Sequence, residues 1–185
     1  MTVRVAVCDY RAGNVRSVAV ALRRLGANVE VTRSAEAVAG CDLAVLPGVG
    51  SAAAAMAALR EDGLDDALRA RVEAGRPTLG ICLGLQLALE ESEEDGGVPG
   101  LGLVPGRARR LTGERVPRLG WAPVEPLGEA FYFAHSYAAE TPAATATSEG
   151  IVAEVRAGSF LGVQFHPEKS GPAGARYLER CLSPA

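Results

Sequence analysis

The sequence is poor in several residue types, and each shortage excludes something. It has four cysteines, two histidines, four Phe, four Tyr and one Trp in 185 residues. Cys8, Cys41, Cys82 and Cys181 stand at neither CxxC nor finger spacing, so no metal site, disulfide framework or cofactor is expected. No apolar run approaches the roughly 20 residues that a membrane span requires, and Met1–Tyr10 lacks the basic-then-apolar layout of a signal peptide. A net charge of -3 leaves no basic footprint for nucleic acid or anionic lipid. The expectation is a cytoplasmic chain. With few aromatics and 48% hydrophobic residues, its core must be mainly Val, Leu, Ala and Ile. That length suffices to bury about two-thirds of the unfolded surface in a single domain, 1–185.

What is present is an alternation. Val3–Cys8, Val29–Thr32, Leu43–Leu46 and Thr78–Cys82 read as strands. Helical spacing runs from about Asn14 to Leu25, over Ala52–Leu59 and Leu64–Glu73, and over Leu85–Glu91. Strands alternating with helices argue for an α/β fold on a largely parallel sheet. Glu91–Gly102 reads as a solvated surface loop, and the acidic run Glu90–Asp95 as simply solvated. Short strands are then expected at Arg107–Leu111, Ala130–Ala134, Ala143–Thr147, Ile151–Arg156 and Phe160–Gln164, before a final helix over Ala173–Leu182. This β-rich half extends the sheet or packs against it.

Cys8, Cys41 and Cys181 read as small buried hydrophobes. Cys82 differs. Gly80-Ile81-Cys82-Leu83-Gly84 has the form of a nucleophile elbow between a strand and a helix. Glycines two residues before and after the nucleophile relieve the crowding of so sharp a turn. The sulfur would sit at a helix N-terminus, which favours thiolate, and the Leu83 N–H would face a developing oxyanion. By itself the segment also fits a buried cysteine in an ordinary turn. His166 ends the strand-like run Gly162–Phe165, and Pro167 stops the ladder there, so His166 and Glu168 project from a strand's end. An imidazole near a thiol can act as general base and then general acid, and a carboxylate can hold its other N–H.

Taken together, Gly80–Gln86 and Gly162–Glu168 resemble the class I glutamine amidotransferases, which implies a three-layer α/β/α fold around a mostly parallel mixed sheet. Leu46-Pro47-Gly48-Val49-Gly50, Phe131–Tyr137, Cys8-Asp9-Tyr10 before Gly13–Val18, Gly120-Trp121 and Lys169-Ser170 are similar to one branch. It comprises the glutaminase subunits of imidazole glycerol phosphate synthase. The resemblance implies that Cys82 attacks the amide of L-glutamine and passes through a thioester, with His166 moving the proton and Glu168 orienting it. It places the oxyanion site at Leu83, Gly48 and Val49, where two glycines make a peptide flip sterically cheap. Glutamine contacts map onto Gly50, Gln86, His135, Ser136 and Tyr137, although His135 on its aromatic strand fits a packed core residue as well. The implied partner is a cyclase subunit with a (β/α)8 barrel, in a heterodimer that uses the ammonia to form imidazole glycerol phosphate and AICAR in histidine biosynthesis. Asn14, Arg118 and Trp121 map onto the docking face.

The chain departs from the family pattern at Arg11-Ala12, Ala52, Arg118 and Ala122-Pro123, all in regions used for docking. The basic residues Arg107, Arg109, Arg110, Arg115 and Arg118 read either as a solvated strand face or as part of that surface. The alternative function is the amidotransferase component of an anthranilate, aminodeoxychorismate or guanylate pathway synthase.

Overall fold

The computed structural model describes residues 2–11, 14–113 and 116–183; Ala12, Gly13 and Arg115 lie outside them. The first half alternates β1 (Arg4–Cys8), α1 (Val15–Arg24), β2 (Asn28–Thr32), α2 (Ala35–Gly40), β3 (Leu43–Leu46), α3 (Ala52–Glu61), α4 (Leu64–Glu73), β4 (Thr78–Ile81) and α5 (Leu83–Ala88). Then come β5 (Leu89–Ser92), β6 (Val98–Pro99), β7 (Val104–Arg110), β8 (Arg118–Val124), β9 (Glu129–His135) and β10 (Tyr137–Glu140). β11 (Ala144–Ser148), β12 (Ile151–Ala157), β13 (Phe160–Val163) and α6 (Gly171–Leu182) complete the chain.

Seven strands form one sheet in the order β11-β12-β13-β4-β3-β1-β2. From β13 to β2 they run parallel, while β12 and β11 add an antiparallel edge. Every residue of β3 and β4 is buried, as required of strands covered on both faces. The two-residue period sorts side chains between the layers. Val5, Val7 and Val45 pack with Val18, Leu22 and Leu178 of α1 and α6, whereas Ala6, Ala44 and Leu46 meet Met56, Leu59 and Leu68 of α3 and α4. The expected three-layer α/β/α architecture is present. A four-stranded sheet, β10-β7-β5-β6, and the hairpin β8-β9 flank it. Among the described residues no helix is long and apolar enough to cross a membrane.

Several local expectations are corrected. The helix predicted over Leu85–Glu91 stops at Ala88. Segment 101–103 returns over its end, and the N–H groups of Leu101, Leu103 and Gly102 donate to the carbonyls of Leu87, Ala88 and Leu89. Leu89 then pairs with Val104, so tertiary strand pairing overrides a helix-favouring Leu-Glu-Glu sequence. α2, β8 and β10 had no clear signal: α2 is six residues long, and Gly120 and Pro123 interrupt the pattern of β8.

The acidic run is not merely solvated. Glu94 Oε2 accepts from the Ala52 N–H at 2.9 Å, and Asp95 Oδ2 accepts from Ser51 Oγ at 2.6 Å and the Ala53 N–H at 3.1 Å. These carboxylates occupy the free donors at the start of α3, where the helix dipole also favours negative charge. Arg107 pairs with Glu91 and Glu140, and Arg109 with Glu93 and Glu140. Acidic and basic runs therefore neutralise one another across β5, β7 and β10.

The entries to β3 and β4 share one buried cation. Arg71 is 2% exposed and donates to the carbonyls of Val38, Ala39, Cys41, Asp42 and Pro77. Removing it strands several buried acceptors at once. Arg71→Met should lower the unfolding free energy by at least about 3 kcal/mol, read from urea melts; a change under about 1 kcal/mol would show that these carbonyls find other donors.

Candidate active site

Parallel pairing brings the carboxyl ends of β13, β4, β3 and β1 side by side, the position where open α/β sheets gather ligands. β4 stops at Ile81, so Cys82 is the turn residue rather than the end of the strand. Its φ of 52° and ψ of -105° lie where a non-glycine residue is strained. The turn is held because the Cys82 N–H donates to the Val163 carbonyl at 2.7 Å, while its own carbonyl accepts from the N–H groups of Leu85 and Gln86 at 3.0 and 3.2 Å. A Cβ on Gly84 would overlap the Leu46 carbonyl oxygen, so only glycine lets α5 pack this closely on β3. The helix behind Cys82 has six residues, and its dipole is correspondingly smaller than the sequence pattern suggested.

His166 follows β13 and is fully buried. Its N–H donates to the Tyr132 carbonyl at 2.9 Å, and its carbonyl accepts from Ser170 Oγ at 2.7 Å. Four of the nine aromatic residues cluster at its neighbour Phe165, which stacks on Phe131 with centroids 4.1 Å apart and meets Phe133 and Tyr177 edge-on. Its Nδ1 lies 2.8 Å from Glu168 Oε1, both side chains being wholly buried. The carboxylate can only accept, so His166 Nδ1 carries a proton, while Nε2 has no hydrogen-bond partner among the described residues. Burial works against the imidazolium, but Cys82 and Glu168 outweigh it and raise the His166 pKa to about 9. The Asn14 side chain donates to the same Glu168 oxygen. Asn14, expected on the docking face, is thus half-buried behind the carboxylate.

A cavity of about 210 Å³ opens over Cys82, lined also by Val49, Gly50, Leu83, Gln86, Glu94, His135, Ser136 and Tyr137. Each residue expected to contact glutamine is there, in a space small enough for a single amino acid. His135 Nδ1 faces the Tyr137 carbonyl at 2.9 Å, which makes Nδ1 the donor and leaves Nε2 a free acceptor. Burial is the main cause that lowers the His135 pKa to about 4, so the ring is neutral. Glu94 is the carboxylate that the sequence pattern missed. It stood inside a run that looked solvated, and burial raises its pKa. A larger depression of about 770 Å³ lies at the opposite ends of β3, β4 and β13, where its carboxylate, Glu154, is already bonded to Tyr177 and Thr145.

The Leu83 N–H does not face open space as expected. It donates to the Gly48 carbonyl at 3.4 Å, and in a trans peptide the Val49 N–H then points the other way. The buried Tyr10 hydroxyl donates to the Pro47 carbonyl, one peptide earlier. A Cβ on Gly48 would overlap that hydroxyl. Of the residues mapped to docking, Trp121 is 58% exposed, beside Leu119 at 65%. Arg118 turns inward instead, its guanidinium 4.2 Å from the Phe133 ring centroid and bonded to Ser148 and Glu149. Ala52 and Ala122 are buried.

Residues 6–184 match the family described as glutamine amidotransferase class-I. The chain is 47% identical over 193 residues to the imidazole glycerol phosphate synthase subunit HisH of Symbiobacterium thermophilum, across 95% of this chain and 91% of that one. It is 43% identical to the protein of the same name from Thermus thermophilus, across 96% and 95% of the two chains. A crystal structure described as a glutamine amidotransferase aligns with a TM-score of 0.79 at 26% identity, covering 96% of this chain and 97% of that one. The chain therefore belongs to the class I glutamine amidotransferases and, within them, to the HisH subunits.

Two outcomes follow from this geometry. Gly84→Ala should destabilise the protein by at least about 1–3 kcal/mol through overpacking against β3, measurable by denaturant melts. The second concerns pH. An unfolded histidine takes up a proton near pH 6.5, whereas folded His135 does so only near 4, so stability falls as pH drops across that window. His166 is the reverse: its folded pKa of about 9 lies above the unfolded value, so its contribution is complete below pH 6.5 and lost as pH rises through 9. Melting temperature against pH should lose its acid slope in His135→Asn and its alkaline slope in His166→Asn. Parallel profiles for the parent and both variants would contradict the assignment.

Proposed function

We propose that this chain is the glutaminase subunit of an imidazole glycerol phosphate synthase, with Cys82, His166 and Glu168 as its catalytic residues. The observation that carries the reading is Cys82 lining a cavity the size of an amino acid at one strand end, with the buried His166–Glu168 pair at the end of the adjacent strand interacting with it. The Cys82 thiolate attacks the side-chain amide carbon of glutamine. The resulting tetrahedral oxyanion collapses as His166 protonates the departing nitrogen, which leaves a γ-glutamyl thioester and ammonia. His166 then takes a proton from water as that water attacks, and glutamate leaves with the thiolate restored. Glu168 stays ionised, holds the Nδ1 proton and stabilises the imidazolium.

The oxyanion needs the N–H groups of Leu83 and Val49, and in the observed arrangement the first is occupied by the Gly48 carbonyl. Rotation of the Gly48–Val49 peptide would free one donor and bring in the second, so basal turnover is low until that rotation is favoured. At the other end of the substrate, Glu94 and the neutral His135 Nε2 accept from the α-ammonium, and Gly50, Gln86, Ser136 and Tyr137 supply further polar contacts. The partner is a cyclase subunit with a (β/α)8 barrel, docked in a cytoplasmic heterodimer over the exposed Leu119 and Trp121 of β8. It draws the ammonia inward before water protonates it.

Glutamate release should be slow for the isolated chain and rise by at least about tenfold when the cyclase and its nucleotide ligand are added, the scale of a lost oxyanion donor being about 100-fold. Equal rates in both conditions would remove the regulated rotation from the reading. Cys82→Ala should abolish release under either condition; retained activity would dismiss Cys82 as the nucleophile.

A further inference from the structure

Gln164 directly follows β13, two residues before His166, and is fully buried. Its backbone N–H donates to the Ala153 carbonyl at 2.9 Å, which ties it to β12. Its side-chain amide bridges two members of the site: Oε1 accepts from Gln86 Nε2 at 3.2 Å, and Nε2 lies 3.5 Å from Cys82 Sγ.

Which end of this amide faces the sulfur is decided by a chain of hydrogen bonds. The Tyr137 carbonyl is an acceptor only, so Gln86 must turn Nε2 toward it, at 2.8 Å. The second hydrogen on that nitrogen goes to Gln164, which must answer with its oxygen. The nitrogen of Gln164 is thereby left against the sulfur. Turning the amide over would oppose two NH2 groups and leave two buried donors without acceptors.

The surroundings of the sulfur make this donor matter. Cys82 is 5% exposed, and a buried anion without donors is costly. His166 interacts with the sulfur from one side, while the Leu83 N–H is engaged by Gly48, and those of Leu85 and Gln86 by the Cys82 carbonyl. The Ala134 carbonyl, 3.8 Å from Sγ, can only accept and so favours the neutral thiol. We propose that Gln164 is a further catalytic residue, whose Nε2–H donates to the Cys82 sulfur and holds it as thiolate. This rests on the reading of Cys82 as nucleophile. The bond strengthens whenever sulfur carries negative charge: before attack, and again when the second tetrahedral intermediate collapses, the C–S bond breaks and its electron pair returns to sulfur. The titratable groups around Sγ are His166 with Glu168 behind it, His135 and Glu94 in the lining of the same cavity, and Tyr10 from the end of β1.

The test is the pH dependence of Cys82 alkylation by iodoacetamide in the full-length chain, followed at the Cys82 peptide by mass spectrometry. Gln164→Leu should raise the midpoint by about one pH unit, a roughly tenfold loss of thiolate below it, as expected for removing one hydrogen bond to a charged group. Gln164→Glu keeps the shape but sets a like charge against the sulfur. It should raise the midpoint further, and it gives a readout should the Leu variant not fold. Midpoints unchanged from the parent in a folded variant would overturn the role of Gln164. That result is distinct from failure of the nucleophile reading, which shows as glutamate release surviving Cys82→Ala.

Discussion

β4 lies between β3 and β13 in parallel register, and the site depends on that pairing. Val163 is opposite Ile81 and Leu46 opposite Gly80, so the chain leaves all three strands at one level. The bond from the Cys82 N–H to the Val163 carbonyl is the last rung of this ladder, and it also binds the strained turn residue to the strand that delivers His166. A slip of one residue would turn Cys82 to the other face of the sheet, because side chains alternate with a period of two. Arg71 at the opposite ends of β3 and β4 and the aromatic cluster below His166 hold that register from both sides.

Within this frame Cys82 and His166 are held by backbone hydrogen bonds, and the segment expected to stabilise the oxyanion is not complete. The carbonyl of Gly48 occupies the N–H of Leu83, and Tyr10 holds the preceding carbonyl. The segment's far end is held too, since Ser51, Ala52 and Ala53 are bonded to Glu94 and Asp95. Between these two anchored ends only the few bonds from Pro47 to Ser51 remain, where glycines flank Val49. Glu94 both lines the cavity and holds the start of α3.

The candidate site was legible in the sequence because it depends on residue type and short spacing. A cysteine between glycines two residues away on either side needs a sharp turn, and a histidine followed by Pro-Glu at a strand end needs a carboxylate within reach of its ring. The parallel α/β frame was legible for a similar reason: Val3–Cys8, Leu43–Leu46 and Thr78–Cys82 are short apolar runs separated by helical spacing. Short elements fared worse. β5 took residues that favour helix, because its stability comes from strands distant in sequence.

What the sequence by itself determined was the set of candidate reacting groups, the glycines that let the chain turn around them and the sheet that carries them. These follow from local sterics and periodicity. Only the tertiary structure decided which hydrogen bonds those groups make. Asn14 went behind Glu168, Glu94 left an apparently solvated run for the cavity, Arg118 folded inward over Phe133, and the Gln164 amide was oriented by Gln86 and Tyr137. Each of these depends on a partner tens of residues away, and a buried donor or acceptor takes whichever partner packing puts beside it.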